Sequence, residues 1–575
     1  MRLQTTKSKN AESFYVVKSV YSNGKRTNKI IEKLGTLPEV IEKAGREDPY
    51  IWAKKYVEKL NQDERELKEP IMVQYSPYKC IEKDISRSFN GGYLFLQQIY
   101  HELKLNKICY SISSKHSFEY SLSAILSSLI YSRILAPGSK LSSFEYSKSF
   151  LENFGIDLHQ IYRALSIIAK ESDFIMSEVY KNSLSLMKRN TNILYYDCTN
   201  FFFEIENPNG IRQYGVSKEN RPNPIVQLGL FMDADGIPLA FCVNSGNTNE
   251  QTTLKPLEKK IISDYGKSKF VVCTDAGLSS IANRKFNDVA SRAFVTTQSI
   301  KQLKDHLKEW ALSPEGWSNG TESVYNINDI DEEQYHDTIF FKERWINENG
   351  LEQRLIVTYS IKYRDYQRRI RNDQICRATK ALTDKNFDKK RQTDYKRLVV
   401  KTHITADSEI AVNEVRTLND ELISQESRFD GFYGVCTNLE DDVRDIVKIN
   451  QHRWEIEESF RIMKTEFKAR PVYLSRDDRI KAHFSVCVLA LILYRYLEKI
   501  LDDKYTTEEI IKTLQEMNFL ELTGKGYVPT YKRTNLTDDL HEKFGFRSDT
   551  EIVTRNAMKK IFYDTRNPKH CALQD

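Results

Sequence analysis

Residues 192–205, NILYYDCTNFFFEI, mark the point where the periodicity of this 575-residue chain changes. The stretch is rich in aromatic and β-branched residues and is closed by Asn207-Pro208-Asn209-Gly210, so it reads as a strand. IVQLGLFM (225–232) and IPLAFCVN (237–244), joined by Asp233-Ala234-Asp235-Gly236, extend it into an antiparallel meander. TTLKPLEKKIISDYG (252–266) has helical spacing, and KFVVCTD (269–275) is the continuous apolar run of a strand buried on both faces. SSIANRKFNDVA (279–290) reads as a second helix and AFVTTQS (293–299) as a fifth strand. The order βββαβαβ predicts an α/β core in which the first and fourth strands lie side by side.

Upstream, FYVVKSVY and RTNKIIEK around the Asn23-Gly24 turn predict a hairpin over 14–32, with a charged helix over 50–68. Pro70 and Ser76-Pro77 suggest a linker. YLFLQQIYHEL, YSLSAILSSLIYSRIL, HQIYRALSIIAK and FIMSEVYKNSLSLMK predict a helical array over 93–190, interrupted at Pro137-Gly138. Downstream, residues 300–428 break the regularity and read as an insertion with its own strands (TIFFKERW, EQRLIVTYS) and a long basic helix. GFYGVCTN (431–438) returns as a strand. Asn438 with Asp441 resembles a capping box opening the next helix, and 478–500 reads as a last core helix.

Hydrophobic residues make up 40% of the chain, with 32 Tyr and 28 Phe, enough for several cores. No apolar run approaches the ~18 residues of a membrane span, and MRLQTTKSKN lacks the apolar core of a signal peptide. Nine scattered cysteines without a CxxC pair predict neither a zinc site nor a disulfide frame, and point to a reducing, cytoplasmic setting. Net charge is only +6, but it is unevenly spread. Residues 1–34 carry eight Lys/Arg against two Glu, and 362–401 carry fourteen against five Asp. Basic runs are often plain solvated faces; two of them flanking a core suggest polyanion contacts.

Three carboxylates stand out by position. Asp197 and Asp275 sit at or near strand ends, where an Asp alone is more often a turn or cap residue. Glu457 lies in NQHRWEIEESFRIMKTEFKARPVY (450–473). Read as one helix, that stretch lines up Arg453, Glu457, Arg461 and Lys464 within about 80° of arc. Ile449, Ile456, Phe460, Met463 and Phe467 form an apolar stripe beside them. Ordinary i, i+4 pairing is the bland reading of that polar stripe. Trp454 reads as core, with Trp317 an alternative for stacking on an unpaired base. His483 reads as a packed histidine and Glu250 as a cap.

The stretch Asn450–x2–Arg453–x3–Glu457–x6–Lys464 resembles the Y-x2-R-x3-E-x6-K signature of bacterial insertion-sequence DDE transposases, with Asn450 where that signature has tyrosine. YYDCTN, DGIPLAFCVNSGNTNEQTT (236–253), CTDAGL, FYGVCTN and RPVY are similar to the same group, over about 192–500, with a weaker echo at RILAPGSK (133–140). The resemblance implies an α/β ribonuclease H-like catalytic core in two parts, 191–300 and 429–503. It implies a mostly β insertion (301–428) before the Glu helix, which suits the 457 − 275 = 182 residue gap between those carboxylates. A basic N-terminal hairpin and helix (1–70), a helical DNA-binding region (71–190) and a C-terminal region (504–575) complete the division. Asp197, Asp275 and Glu457 are then the catalytic and metal-binding triad for two Mg²⁺ ions, with Mn²⁺ able to substitute. Hard carboxylate oxygens suit such ions, and two ions suit phosphodiester chemistry. Arg453, Lys464, Arg461 and Asn450 are the implied DNA contacts. The implied partners are double-stranded transposon ends and target DNA, with a homodimer in the synaptic complex and no membrane. Two other classes remain open: a DNA-binding protein without activity, and a plain metal-dependent nuclease.

Overall fold

The computed structural model describes residues 1–7, 11–22, 25–45, 47–66, 71–289, 291–382, 394–404 and 413–568. The Asn23-Gly24 turn and part of the basic 362–401 segment lie outside these residues. The chain forms two compact units, Met1–Lys83 and Asp84–Asp575, so the first runs beyond the boundary expected at residue 70.

In the first unit the expected hairpin is a three-stranded antiparallel sheet of β1 (Arg2–Lys7), β2 (Glu12–Ser22) and β3 (Lys25–Thr36). Helices α1 (Leu37–Ala44) and α2 (Pro49–Glu66) follow. Phe14, Val16, Leu34, Val40, Ala53 and Val57 form its core. The β1 strand and α1 were not expected; RLQTTK is too polar to show a strand period.

The second unit opens with a short strand, β4 (Ser88–Asn90). Six helices follow: α3 (Tyr93–Glu102), α4 (Leu105–Lys115), α5 (Leu122–Leu135), α6 (Lys140–Ser147), α7 (Leu158–Lys170) and α8 (Ser172–Ser183). Then come β5 (Ile193–Phe202), β6 (Ile225–Asp233), β7 (Pro238–Ser245), α9 (Leu254–Asp264), β8 (Phe270–Thr274), α10 (Ile281–Phe286) and β9 (Arg292–Gln298), in the βββαβαβ order. Space order is β7-β6-β5-β8-β9, with β5, β8 and β9 parallel and β6 antiparallel to both neighbours. That is the ribonuclease H-like arrangement.

The insertion differs from expectation. The expected long basic helix is there as the 21-residue α12 (Ile361–Ala381), but besides β10 (Ile339–Glu348), β11 (Leu351–Ser360), β12 (Val399–Ile404) and β13 (Asn413–Leu418) the insertion also holds α11 (Asp305–Leu312) and α13 (Asp420–Ser427), so it is mixed rather than mostly β. Its first two strands are not a separate sheet. β14 (Phe432–Thr437) pairs with β9 on one side and β11 on the other, continuing the central sheet to eight strands, β10-β11-β14-β9-β8-β5-β6-β7. Leu355, Ile356 and Val357 are fully buried, as an interior strand requires.

The predicted long helix after β14 is also broken. The α14 helix (Val443–Gln451) starts from Asp442, whose side chain accepts the Arg444 N–H, while Asn438 accepts from the Phe294 N–H at 3.0 Å; the Asn438/Asp441 capping box does not form. The chain turns at His452 and Arg453 before α15 (Trp454–Thr465). The α16 helix (Asp477–Ile500) is long and apolar, and nearly all of it is buried inside the protein. It shares one core with α3–α8, α15 and the C-terminal elements α17 (Thr507–Glu516), β15 (Asn518–Leu522), β16 (Gly526–Pro529), α18 (Asn535–Phe544), β17 (Val553–Thr554) and α19 (Arg555–Arg566). β17-β16-β15-β4 form a separate four-stranded sheet, which ties the C-terminal segment to the start of the unit.

Candidate active site

Strand β5 presents alternate side chains to two faces. Leu194, Tyr196 and Cys198 face α9 and pack with Leu254, Leu257 and Ile261. Tyr195, Asp197, Thr199 and Phe201 therefore point the other way, toward α14, α15 and α16. Tyr195 donates to the Ile449 carbonyl at 3.1 Å, Lys464 donates to Thr199 Oγ1 at 2.6 Å, and Phe201 packs on Phe484.

Asp275 is level with Asp197. The parallel register pairs Ile193 with Val271 and Tyr195 with Cys273, a constant offset (271 − 193 = 78), and 197 + 78 = 275. Adjacent strands lie about 4.8 Å apart, so the two carboxyls are neighbours at the end of β8. Burial pushes the Asp197 carboxyl up to about 6; Lys218 pulls it down, Asp275 adds to the push, and Arg453 opposes it. Asp197 Oδ1 accepts the Cys198 N–H at 2.7 Å, and Asp275 Oδ1 caps the following turn through the Leu278 N–H at 3.0 Å. Gly277, with Gln251 donating to its carbonyl at 3.0 Å, keeps that turn small.

Glu457 lies in the first turn of α15, where the helix dipole favours an acid. Its carboxylate is mostly exposed and meets Arg453 at 3.4 Å. Among the described residues no three Asp, Glu, His or Cys side chains gather into one metal-sized group. The structure thus brings Asp197 and Asp275 together, and Arg453 stands between Glu457 and that pair, its charge felt by both Asp197 and Cys273. The donor chemistry fits a hard divalent cation: two partly buried carboxylates, of which Asp275 makes ionisation of Asp197 costlier, and a third acid held by a single cation.

The expected cations divide. Lys464 is partly buried against Thr199 and Phe201; burial and Lys218 pull its ammonium down to about 8, while Asp197 pulls it up. Arg461 instead pairs with Glu458 on its own helix at 2.6 Å. Asn450 is almost fully buried, accepting from Thr297 at 3.3 Å and donating to the Tyr433 hydroxyl at 3.1 Å, so its amide is not open to DNA as expected. Trp454, expected in the core, is 55% exposed, whereas Trp317 is fully buried with its indole N–H on the Ser313 carbonyl. His483 is buried with Nε2 at the Ala469 carbonyl, as the bland reading had it. A cavity of about 750 Å³ adjoins Glu457 and Arg453, with Tyr363, Tyr366, Tyr433 and Trp454 in its wall.

Two site residues escaped the sequence reading. Lys218 and Glu219 lie on the connection between β5 and β6, which Asn200 fastens along β5: its Nδ2 donates to the Val216 carbonyl at 3.0 Å and its Oδ1 accepts the Lys218 N–H at 3.2 Å. Lys218 reaches the Cys198 carbonyl, and Glu219 pairs with Arg470 and lies 3.9 Å from Lys464. The charged run SKENRP (217–222) beside a strand carrying Asp197 was the available signal.

A family model described as the transposase DDE domain matches residues 208–493. The chain carries a transposase DDE domain and is a transposase. The matched span includes Asp275 and Glu457 and begins after Asp197. A search of the curated proteins finds no match. Among solved structures, the transposase piggyBac in a synaptic complex with hairpin DNA is similar at a TM-score of 0.35 and 8% identity, over 83% of this chain and 85% of that one, too distant to bear on the site.

Proposed function

We propose that this transposase belongs to a bacterial insertion sequence of the group with the Y-x2-R-x3-E-x6-K signature, binds the element's terminal inverted repeats, cleaves DNA at the element ends and joins them to target DNA. The observation that carries this reading is the closeness of Asp197, on β5, to Asp275, the residue that follows the adjacent parallel strand β8, with Asp197 on the face of β5 that turns to α15. Those three residues would hold Mg²⁺, with Glu457 joining after its carboxylate leaves Arg453. When bound, such ions supply charge to the attacking and leaving oxygens of the phosphodiester. Arg453, Lys464 and, from the outer side, Arg461 take backbone phosphates; Asn450 acts indirectly by holding Tyr433. The aromatic wall at Trp454 suits a base displaced from the duplex, since any base offers a π-face for stacking. The basic first unit and the helices of 71–190 recognise the terminal repeats, and α12 follows phosphates. The protein acts in the cytoplasm, on the nucleoid, as a dimer that pairs two ends.

The test is strand cleavage on duplexes carrying the terminal repeats that flank the gene. Asp197→Asn, Asp275→Asn and Glu457→Gln should each abolish cleavage while end binding persists, with binding that weakens steeply as salt rises. Normal cleavage by any of the three would end this assignment.

A further inference from the structure

Glu250 lies in the GNTNE stretch, where a capping role is the simplest expectation. The cap is in fact Asn249, whose side chain accepts the Gln251 N–H at 3.1 Å. The Glu250 carboxylate is directed instead at Lys218, 3.6 Å away. Lys218 therefore stands between Glu250 and Asp197, with its backbone N–H tied to the buried Asn200 and its ammonium on the Cys198 carbonyl.

An ammonium has three N–H donors. One serves the Cys198 carbonyl, and Glu250 lies just beyond direct hydrogen-bond reach, so Lys218 keeps donor capacity beside the carboxylate pair. The neighbouring cations sit on the Glu457 side, Arg453 with Glu457 at 3.4 Å and Lys464 on Thr199 at 2.6 Å, whereas Lys218 is tied to β5 itself, next to Asp197. A phosphate arriving at Asp197 and Asp275 brings more negative charge to two carboxylates, and a partly exposed ammonium whose charge Asp197 already feels is a group able to meet it.

We propose that Lys218 contacts a non-bridging oxygen of the scissile phosphate, and that Glu250 is the positioning residue that aims it. This rests on the site reading above. Lys218→Met should slow single-turnover strand cleavage by about 100-fold, the scale of losing one fixed donor to developing charge. Mn²⁺ binding without DNA, followed by electron paramagnetic resonance, should be unchanged or tighter, because a competing cation is gone, and binding of the terminal-repeat duplex should persist. Lys218→Arg should recover much of the rate. Glu250→Gln should cost about tenfold, and the double variant should be no slower than Lys218→Met alone. Cleavage by Lys218→Met within threefold of the parent would overturn the proposal. So would loss of Mn²⁺ binding in step with cleavage, which marks a structural prop, or multiplying effects of the two substitutions, which would separate Glu250 from Lys218. If Asp197→Asn is inactive while Lys218→Met is normal, this proposal alone fails; if Asp197→Asn cleaves normally, the site reading fails with it.

Discussion

Asp197→Asn should make the metal-free protein more stable while destroying its activity. The substitution keeps the shape of the side chain and removes its charge. Asp197 titrates near 6 in the folded protein against an ordinary 3.8, a difference of about 2 units. At 1.36 kcal/mol per unit, the ionised carboxylate costs the folded state about 3 kcal/mol at pH 7.5. The sign follows from proton binding: between pH 3.8 and 6 the folded state holds the proton that the unfolded chain has released, so stability falls as pH rises through that window. Asparagine carries no such slope. The second unit spans 575 − 84 + 1 = 492 residues. At about 2.1 cal/mol/K per residue its unfolding entropy is about 1 kcal/mol/K, so the variant should melt about 3 °C higher at pH 7.5 in EDTA, and roughly half that at pH 5. Scanning calorimetry in EDTA, repeated with Mg²⁺, is the assay. Mg²⁺ should raise the melting temperature of the parent and leave the variant unmoved. A variant less stable than the parent in EDTA at pH 7.5, or an advantage independent of pH, would refute the reasoning.

Lys140 is buried, its Nζ without a hydrogen-bond partner among the described residues, and burial pulls its ammonium down to about 7, with Arg133 adding to the fall. The unfolded chain then binds the proton more tightly between pH 7 and about 10.5, so stability should rise with pH across that range; Lys140→Met should raise the melting temperature at pH 6.5 and lose that advantage by pH 10. Asn450→Ala strips the Tyr433 hydroxyl and Thr297 of a shared partner, and should cost about 1–3 kcal/mol in urea unfolding while reducing cleavage less than Glu457→Gln does. A loss of cleavage equal to that of Glu457→Gln would give Asn450 a direct role in the reaction.

The parts of the fold legible in the sequence were those in which each element has one dominant period. FVVCT, apolar on both faces, could only be an interior strand, and the βββαβαβ order then fixed which strands are neighbours. The insertion was harder because its pattern does not say which sheet a strand joins. EQRLIVTYS was readable as a strand, but its place beside β14 depends on a pairing that spans more than seventy residues. The break at His452 and Arg453 was hidden for a different reason. The apolar residues of α14 and α15 keep a helical spacing through the turn, because both helices pack on the same face of the sheet, so periodicity alone joins them into one.

The site shows the same limit at the level of single side chains. Two-residue alternation along β5 assigns Asp197 to the face opposite Leu194, Tyr196 and Cys198 before any contact is known, and the 78-residue offset places Asp275 beside it. Backbone geometry thus carries the acidic half of the site. The cationic half has no such rule. Lys218 arrives on a connection without regular structure, positioned by one buried amide, Asn200. Arg461 and Lys464, only three residues apart on one helix, part company, one to Glu458 and the other to Thr199. A long side chain goes where its nearest counter-charge or acceptor lies, and that partner is set by tertiary packing. The carboxylates proposed for this transposase could therefore be placed by spacing, whereas the cations proposed to receive its DNA had to be found by tracing where each one is held.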